Sequence, residues 1–352
     1  MNDEAEADLA RDIDQAGLVH VTDEVPGIRR RRAGKGFSYR DDSGNLIGDR
    51  EVLKRIKTLA IPPAWREVWI CVDPAGHLQA SGRDDRGRKQ YRYHPRWRVV
   101  RDESKFHRLL DFARTLPRIR RRVAADLRRP GLQRERVLAA IVRLLETTLI
   151  RVGNLDYEKE NKSHGLTTLK RRHVSTRADH LRFRFKGKSG KEWNLQVDDR
   201  RVARVIRTCQ DLPGQHLFRY RDESGDYREV TSTDVNDYLR EISGGPFTAK
   251  DFRTWAGTVA ALAALSRAEI ATTAAQAKRI VRATVTEIAA QLRNTPTICR
   301  QCYIHPTIVD CFMTGSLLDD LEAVRRRSTD APKGLRAVET DAFVLLRFRS
   351  DR

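Results

Sequence analysis

The sequence predicts an α+β protein with two domains. In residues 1–100 short extended segments alternate with turns rich in Gly, Asp and Pro, so we expect a small N-terminal domain with an antiparallel β-sheet and short helices. From Lys105 onward the apolar residues recur at helical spacing, so residues 101–352 should form a larger, mainly α-helical domain with a small β-hairpin. A chain of 352 residues is long enough for each domain to have its own core.

The first domain is expected to begin with a loosely held leader over residues 1–20. The four arginines at residues 29–32 are expected to lie on a loop, where they would contact phosphates. The sequence D-D-S-G at residues 41–44 predicts a hairpin turn. Asp49 is a suitable N-cap for a short helix that ends at Leu59.

An extended segment near the end of this domain reads R-K-Q-Y-R-Y-H-P. Alternation along a strand puts Tyr91 and Tyr93 on one face. The same alternation puts Arg88, Arg92 and Arg96 on the other face. Aromatic rings interleaved with cations suit contact with the bases and backbone of a nucleic acid. The alternative is that these are ordinary strand tyrosines.

Two helix predictions in the larger domain depend on chain breakers. A helix that starts at Lys105 should end at Pro117, and a basic helix should follow over residues 119–127. A further helix, over residues 134–152, should end at the Gly-Asn pair that follows it. Arg151 would then lie along the apolar face at the end of that helix. An arginine there needs an anionic partner, either a structural carboxylate or a bound phosphate.

The β-hairpin is predicted from alternation in residues 180–185 and 193–197, and its tip carries Lys186, Lys188 and Lys191. The G-K-S sequence in the tip is not a nucleotide-binding P-loop, because the upstream glycine is absent and no helix follows. The tip lysines are either solvated charge or a means of delivering one ammonium group into a cleft.

Arg253 is predicted to lie in the first turn of a helix that begins at Thr248, with Asp251 completing a capping box. Free backbone amides and the positive end of the helix dipole favour an anion in that turn. Together with Lys250, Arg253 therefore forms a candidate phosphate site.

The sequence N-T-P-T-I-C-R-Q-C-Y-I-H-P predicts another short helix. Thr295 is its N-cap and Pro296 occupies the first helical position. The helix should end before Pro306, because the residue before a proline avoids helical geometry. Tyr303 therefore lies at the end of a helical turn, where it is either a nucleophile or a partly buried anchor of the helix end.

The charge balance indicates a polyanionic partner. Lys and Arg number 68 against 48 Asp and Glu, and the net charge of +20 is spread along the chain, as expected for a protein that binds nucleic acid.

Five cysteines without framework spacing favour a reducing compartment, and Cys299 and Cys302 have no second pair with which to form a zinc site. Because the sequence shows neither a signal segment nor a long apolar run, we expect a soluble intracellular protein.

These candidates fit one reaction, the attack of a tyrosine on a phosphodiester. A phenol with a pKa of ~10 needs help to lose its proton. The transition state needs fixed positive charge at the non-bridging oxygens, and the departing alkoxide needs a general acid. Beside Tyr303 the sequence offers four groups of these kinds: Arg151, Arg253, Lys188 and Asn294. A metal-assisted nuclease is disfavoured, because no acidic cluster has metal-ligand spacing.

Four motifs together resemble the bacterial, poxvirus-like type IB DNA topoisomerases: R-V-G-N, F-K-G-K-S-G-K, K-D-F-R-T-W and N-T-P-x-x-C-R-x-x-Y-I-H-P. The sequences P-P-A-W and R-K-Q-Y-R-Y-H resemble the N-terminal domain of that family, so the similarity covers nearly the whole chain. The combination is specific, although no single motif is. The resemblance implies the catalytic fold that this family shares with tyrosine recombinases, and two domains that close around duplex DNA as a clamp.

The resemblance also implies a role for each candidate. Tyr303 would attack a DNA phosphodiester and become linked to the 3′-phosphate. Arg151 and Arg253 would hold the non-bridging oxygens. Lys188, with Lys186 as the fallback, would protonate the 5′-hydroxyl leaving group with help from Arg151.

Asn294 would donate a hydrogen bond to a phosphate oxygen. Many relatives carry histidine at this position, and asparagine cannot exchange a proton at neutral pH. Lys250 would contact a phosphate or the minor groove. The candidate DNA-binding residues of the first domain lie in the segment that matches the family's major-groove-facing strand: Arg88, Gln90, Tyr91 and Tyr93.

The implied partner is duplex DNA, bound by a monomer in the cytoplasm, at the nucleoid. A phosphotyrosine diester conserves the energy of the broken bond, so neither ATP nor a metal nor another cofactor is expected. No nucleotide or membrane partner is expected either.

Two alternatives remain open. A tyrosine site-specific recombinase would share the chemistry and the catalytic fold, but it would normally show His-x-x-Arg where this chain has Lys250 and Arg253. It would also rely on oligomer assembly. A non-catalytic duplex DNA-binding clamp would use Tyr303 only structurally, and it would leave no covalent adduct on DNA.

Overall fold

The structure, a computed structural model, describes residues 10, 12–34, 36–85, 87–327 and 331–351. The chain divides into two units, Met1–His107 and Arg108–Arg352. The first contains an antiparallel sheet with short helices, and the second is mainly helical with a small sheet, so the predicted α+β class is confirmed. None of the helices in the described ranges has the length and apolar character needed to span a bilayer.

A five-stranded antiparallel sheet forms the centre of the first unit. Its strands are β1 (Ile28–Ala33), β2 (Gly36–Arg40), β3 (Arg66–Ile70), β4 (Leu78–Arg83) and β5 (Lys89–Tyr93), in the order β2-β1-β3-β4-β5. Helix α1 (Arg50–Thr58) is capped by the side chain of Asp49, as predicted, and buries Ile56 against the sheet. The core of the sheet is made by alternate apolar residues of its central strands: Ile28, Val68, Ile70 and Ala80.

Two predictions for this unit are wrong. The arginines at residues 29–32 belong to strand β1, where each of them is paired with a residue of β2, so they do not lie on a loop. Arg30 donates hydrogen bonds to the carbonyls of Pro62 and Trp65 at 3.0 and 2.7 Å. Its guanidinium group therefore stabilises contacts within this unit. The part of the leader that the structure describes is also held, because Ile13 and its neighbours pack against Trp97. Residues 1–9 and 11 of the leader lie outside the described residues.

The second unit is built from helices and two small sheets. The helices are α2 (Pro95–Asp126, which begins before the unit boundary), α3 (Arg134–Thr148), α4 (Leu155–Asn161), α5 (Arg200–Gln210), α6 (Ser232–Ser243), α7 (Ala249–Leu265), α8 (Ala274–Gln291), α9 (Pro296–Cys302), α10 (Pro306–Met313), α11 (Leu317–Arg327) and α12 (Ala337–Ser350). The strands are β6 (Val174–Arg177), β7 (His180–Lys186), β8 (Glu192–Asp198), β9 (Arg219–Arg221) and β10 (Tyr227–Glu229).

Two predicted helix ends in this unit are wrong. Pro117 does not end a helix but lies inside α2, where Leu116 and Ile119 on either side of it are 1% exposed. Burial of that continuous apolar face outweighs the hydrogen bond that a proline removes. Helix α3 ends at Thr148, because Leu149 adopts a left-handed φ of 58° and Ile150 turns into the core. Arg151 therefore lies in the loop after the helix.

The local predictions around the candidate residues are confirmed. Strands β7 and β8 pair from His180↔Asp198 to Lys186↔Glu192, so the lysine-rich sequence is the tip of a hairpin. Asp251 accepts a hydrogen bond from the backbone N–H of Thr248 at 2.7 Å, which completes the capping box of α7. Helix α12, which follows α11 in the chain, packs against α7 and α11.

Candidate active site

A cavity of about 530 Å³ in the second unit brings distant segments of the chain together. Arg151 comes from the loop after α3, Lys188 from the hairpin tip and Arg253 from the first turn of α7. Tyr303, at the end of α9, completes this group, and Lys250 lies beside it. Other polar side chains line the cavity: Asn154, Glu160, Ser163 and His164.

Tyr303 is held by the helix before it and by α7. Its backbone N–H donates to Cys299 at 3.0 Å, and its carbonyl accepts from the Thr258 hydroxyl at 3.4 Å. A Cβ atom on Gly257 would come within 2.4 Å of the Tyr303 carbonyl oxygen, so only glycine allows α7 to approach this closely. No sequence signal marks Gly257 or Thr258, because more than forty positions in the chain separate them from Tyr303.

Arg253 is 3% exposed and connects three parts of the site. One of its terminal nitrogens donates to the carbonyl of Leu149, after α3, and the other to that of Leu292, after α8, at 2.6 Å. The guanidinium carbon lies 5.1 Å from the centre of the Tyr303 ring. Burial, and then the nearby charge of Arg151, lower the pKa of Arg253 to about 10. A buried cation that lines a cavity attracts an anion into it.

The surroundings of Tyr303 favour its ionised form. Burial alone would raise the pKa of the phenol, but the charge of Arg253 and a hydrogen bond from it act in the opposite direction. Arg151 and Lys250 add to this effect, and the net result is a lowered pKa. The cations that would hold a phosphate therefore also help the tyrosine to lose its proton.

Asn294 reaches the site through Arg151. A terminal nitrogen of Arg151 donates to the side-chain carbonyl of Asn294 at 2.5 Å. The amide nitrogen of Asn294 is buried without a hydrogen-bond partner in the described part of the chain. The backbone around Arg151 is fixed by a bond from the Leu166 N–H to its carbonyl at 2.9 Å. A Cβ on Gly165 would lie 2.6 Å from the same carbonyl oxygen, so this approach also requires glycine.

The hairpin tip distinguishes between the candidate lysines. Lys188 begins a 3-10 turn, Lys188–Gly190, and lines the cavity. Lys186 is exposed at the end of β7, where its carbonyl accepts from the His164 N–H at 2.8 Å, and it is not among the residues that line the cavity. The geometry therefore favours Lys188 over Lys186 as the group that acts in the site.

Strand β5 of the first unit carries exposed tyrosines on one face, and the polar residues beside them are held by internal hydrogen bonds. Tyr91 and Tyr93 are 43% and 37% exposed, and their rings stack with centroids 6.0 Å apart. Arg88 and Gln90 instead turn to Asp84, to which they donate hydrogen bonds at 2.8 and 3.0 Å. The tyrosines are thus available to a partner, whereas Arg88 and Gln90 are held by an internal carboxylate.

The predicted row of arginines along this strand is wrong. Arg92 donates to the carbonyl of Ala60 at 3.0 Å and lies over the ring of Trp65, so it packs within the unit. Arg96 lies in helix α2, beyond the strand. The strand ends at Tyr93, and alternation cannot be extended past that residue.

The five cysteines are free thiols. Cys299, in helix α9, is fully buried, and burial raises the pKa of its thiol to about 11. Among the residues that the structure describes, no group of three or more His, Cys, Asp or Glu side chains could hold a metal ion.

Two family models match the chain. Residues 94–313 match the catalytic core of eukaryotic DNA topoisomerase I, and residues 36–84 match the N-terminal domain of bacterial DNA topoisomerase IB. The chain is 32% identical over 287 residues to DNA topoisomerase 1B of Acanthamoeba polyphaga mimivirus, covering 80% of this chain and 85% of that protein. It is 23% identical over 279 residues to DNA topoisomerase 1B of vaccinia virus (strain Copenhagen), covering 76% of this chain and 83% of that protein.

Proposed function

The chain belongs to the type IB DNA topoisomerases, and from that premise we propose that Tyr303 is the nucleophile with which it cleaves one strand of duplex DNA. The observation that carries this proposal is the meeting of Tyr303, Arg253, Arg151 and Lys188 in one cavity. Members of this family are isomerases that act on DNA, and the net charge of +20 suits a DNA-binding enzyme.

Cleavage begins with the oxygen of Tyr303, which attacks the phosphorus after its proton has passed to water. The bond from phosphorus to the 5′-oxygen breaks as the new bond forms. Lys188 gives a proton to that 5′-oxygen, which leaves as a hydroxyl group, and the 3′-phosphate remains on the tyrosine.

Fixed positive charge stabilises the transition state. Arg151 and Arg253 hold the non-bridging oxygens, and the buried amide nitrogen of Asn294 donates to one of them. Because Asn294 already accepts a hydrogen bond from Arg151, it also orients that arginine. Asparagine has no titratable proton, so its role is hydrogen bonding and not acid–base catalysis.

Rejoining is the reverse reaction. The cut strand rotates about the intact one, the 5′-hydroxyl attacks the phosphotyrosine, and Tyr303 departs. The diester retains the energy of the original bond, so we propose that the enzyme needs neither ATP nor a metal.

We also propose that it works as a monomer in the cytoplasm, at the nucleoid, and that its domains, residues 1–100 and 101–352, bind the same duplex.

The first domain would contribute DNA contacts through its exposed strand. Tyr91 and Tyr93 support this role because their stacked rings are accessible, and Lys250 would add a phosphate or minor-groove contact beside the cavity. Arg88 and Gln90 would contribute only if DNA displaced them from Asp84.

Relaxation of supercoiled plasmid in EDTA without ATP tests the proposal. The wild-type protein should relax the plasmid, and Tyr303→Phe should not. Denaturation during the reaction should leave wild-type protein covalently attached to DNA. Relaxation by Tyr303→Phe would remove Tyr303 from its role, whereas a requirement for added metal or ATP would contradict the proposed energetics.

A further inference from the structure

Arg293 adopts a backbone conformation that arginine rarely takes. Its φ is +50°, in the left-handed region that favours glycine, at the link between α8 and α9. Backbone hydrogen bonds hold it there: its N–H donates to Ala290 at 3.1 Å, and the N–H of Asn294 donates to Ala289 at 2.8 Å. Strain of this kind persists where the surrounding structure compensates for it.

The side chain of Arg293 makes a contact that offers such compensation. Its guanidinium carbon lies 5.6 Å from the centre of the Trp193 ring, a cation–π contact. Trp193, on strand β8, is 6% exposed, and its ring stacks on Phe185 of β7 at 5.9 Å. The indole therefore forms part of the packed hairpin, and the arginine rests on its outer surface.

Trp193 in turn touches the residue that precedes Lys188. A Cβ atom on Gly187 would come within 2.7 Å of the indole nitrogen, so the ring and the hairpin tip are in tight contact. Lys188 follows directly and lines the cavity. A continuous series of contacts thus runs from the segment that carries Asn294 and Tyr303 to the hairpin that carries Lys188.

We propose that Arg293 is a positioning residue for Lys188. By stacking on Trp193, it fixes the hairpin relative to the α8–α9 link, so that the ammonium group of Lys188 is aligned with the 5′-oxygen. This inference rests on the proposed function, in which Lys188 is the general acid. Arg293 itself touches no reacting atom in this role.

An exposed arginine near a DNA-binding cavity has an alternative role as a phosphate contact. Loss of a phosphate contact would weaken DNA binding and slow every cleavage reaction equally. Loss of alignment of the acid would slow only those reactions in which the leaving group needs a proton. A leaving group that departs without a proton therefore separates the two roles.

The experiment measures single-turnover cleavage, at saturating protein, of a duplex with one strong site mapped with the wild type. One substrate has the natural 5′-bridging oxygen and the other has sulfur there, which leaves as a thiolate. Arg293→Gln should slow the oxygen substrate about two- to fivefold, the equivalent of one exposed cation–π contact, and leave the sulfur substrate unchanged. Arg293→Lys, which keeps a cation, should retain most of the rate.

Two further variants make the result decisive. In the background of Lys188→Ala, the substitution Arg293→Gln should have no added effect on the oxygen substrate, because there is no acid left to align. Arg293→Gly relieves the left-handed backbone, so it should melt no lower than the wild type and yet show the same selective loss.

The outcomes distinguish the two proposals. If sulfur fails to rescue Lys188→Ala, the acid role of Lys188 is wrong, and the inference about Arg293 falls with it. If sulfur rescues Lys188→Ala but Arg293→Gln slows both substrates equally, or adds its full effect to Lys188→Ala, the positioning role of Arg293 alone is wrong.

Discussion

The two sides of the candidate active site are built in different ways. Arg253 and Tyr303 belong to the helical core, where main-chain hydrogen bonds and a glycine contact fix them. Lys188 lies at the tip of a hairpin, in a turn that contains Ser189 at a left-handed φ of 61°. Groups that hold a phosphate in place gain from rigid support. The position of Lys188, the proposed proton donor, depends in contrast on how a hairpin packs against its neighbours.

The largest expected effect is on the core side. Tyr303→Phe removes the attacking oxygen but keeps the ring that packs near Arg253, so relaxation should be lost while duplex binding persists. Relaxation and gel-shift assays on the same preparation measure both properties. Equal loss of binding and relaxation would mean that the phenol oxygen serves DNA binding or the fold and not the reaction alone, which would contradict this prediction.

On the hairpin side, Lys188→Ala should slow cleavage by about 10²- to 10⁴-fold, the usual contribution of a general acid. A substrate with a 5′-bridging sulfur should recover most of this loss. Lys186→Ala is the matched control, since Lys186 is exposed and outside the cavity lining, and it should behave like the wild type. A large loss of cleavage rate in Lys186→Ala, with little loss in Lys188→Ala, would mean that Lys186 and not Lys188 is the general acid.

Gly257→Ala tests whether backbone contact fixes the core side. The added Cβ would meet the Tyr303 carbonyl oxygen at 2.4 Å and push the tyrosine away, and a displacement of about 1 Å can cost roughly 100-fold in rate. The rates of cleavage of the oxygen and sulfur substrates should fall together, because the substitution moves the proposed nucleophile and not the proposed acid. Gly48→Ala, where no atom lies within 4 Å of the new Cβ, is the control and should be silent.

The smallest expected effect concerns pH. In the proposed reaction only the phenolate of Tyr303 attacks, so the cleavage rate should rise with pH until the Tyr303 pKa is passed. Lys250 helps to lower that pKa, so Lys250→Gln should move the midpoint of the rate profile to higher pH and slow cleavage a few-fold at neutral pH. Lys278→Gln, an exposed lysine on α8, removes the same charge elsewhere and should not move the midpoint. An unchanged midpoint in Lys250→Gln would mean that another proton limits the rate.

The sequence predicts the parts of this site that depend on local rules. Turn and capping residues fix the hairpin around Lys188, the start of α7 at Thr248 and the start of α9 at Thr295 within a few positions. The predictions that fail depend on distant packing. Helix α3 ends before Arg151 because Ile150 turns into the core. Helix α2 continues through Pro117 because Leu116 and Ile119, on either side of the proline, are buried.

The supports of the site were not predictable from one sequence. Gly257 lies against the backbone of Tyr303, and Gly165 lies against that of Arg151. The sequence around a glycine does not indicate which distant backbone segment it will contact. The family motifs point to the candidate reacting groups, but contacts between distant segments, such as that of Arg293 with Trp193, appear only in three dimensions.

Mapping the covalent adduct tests the central claim most directly. Protein trapped on a labelled duplex by denaturation would be digested with protease and nuclease, and the peptide that carries the remaining nucleotide identified by mass spectrometry. We predict a single modified peptide, linked through a 3′-phosphate to Tyr303. A nucleotide on any other residue, or a linkage through a 5′-phosphate, would contradict the assignment of Tyr303 and of the groups around it.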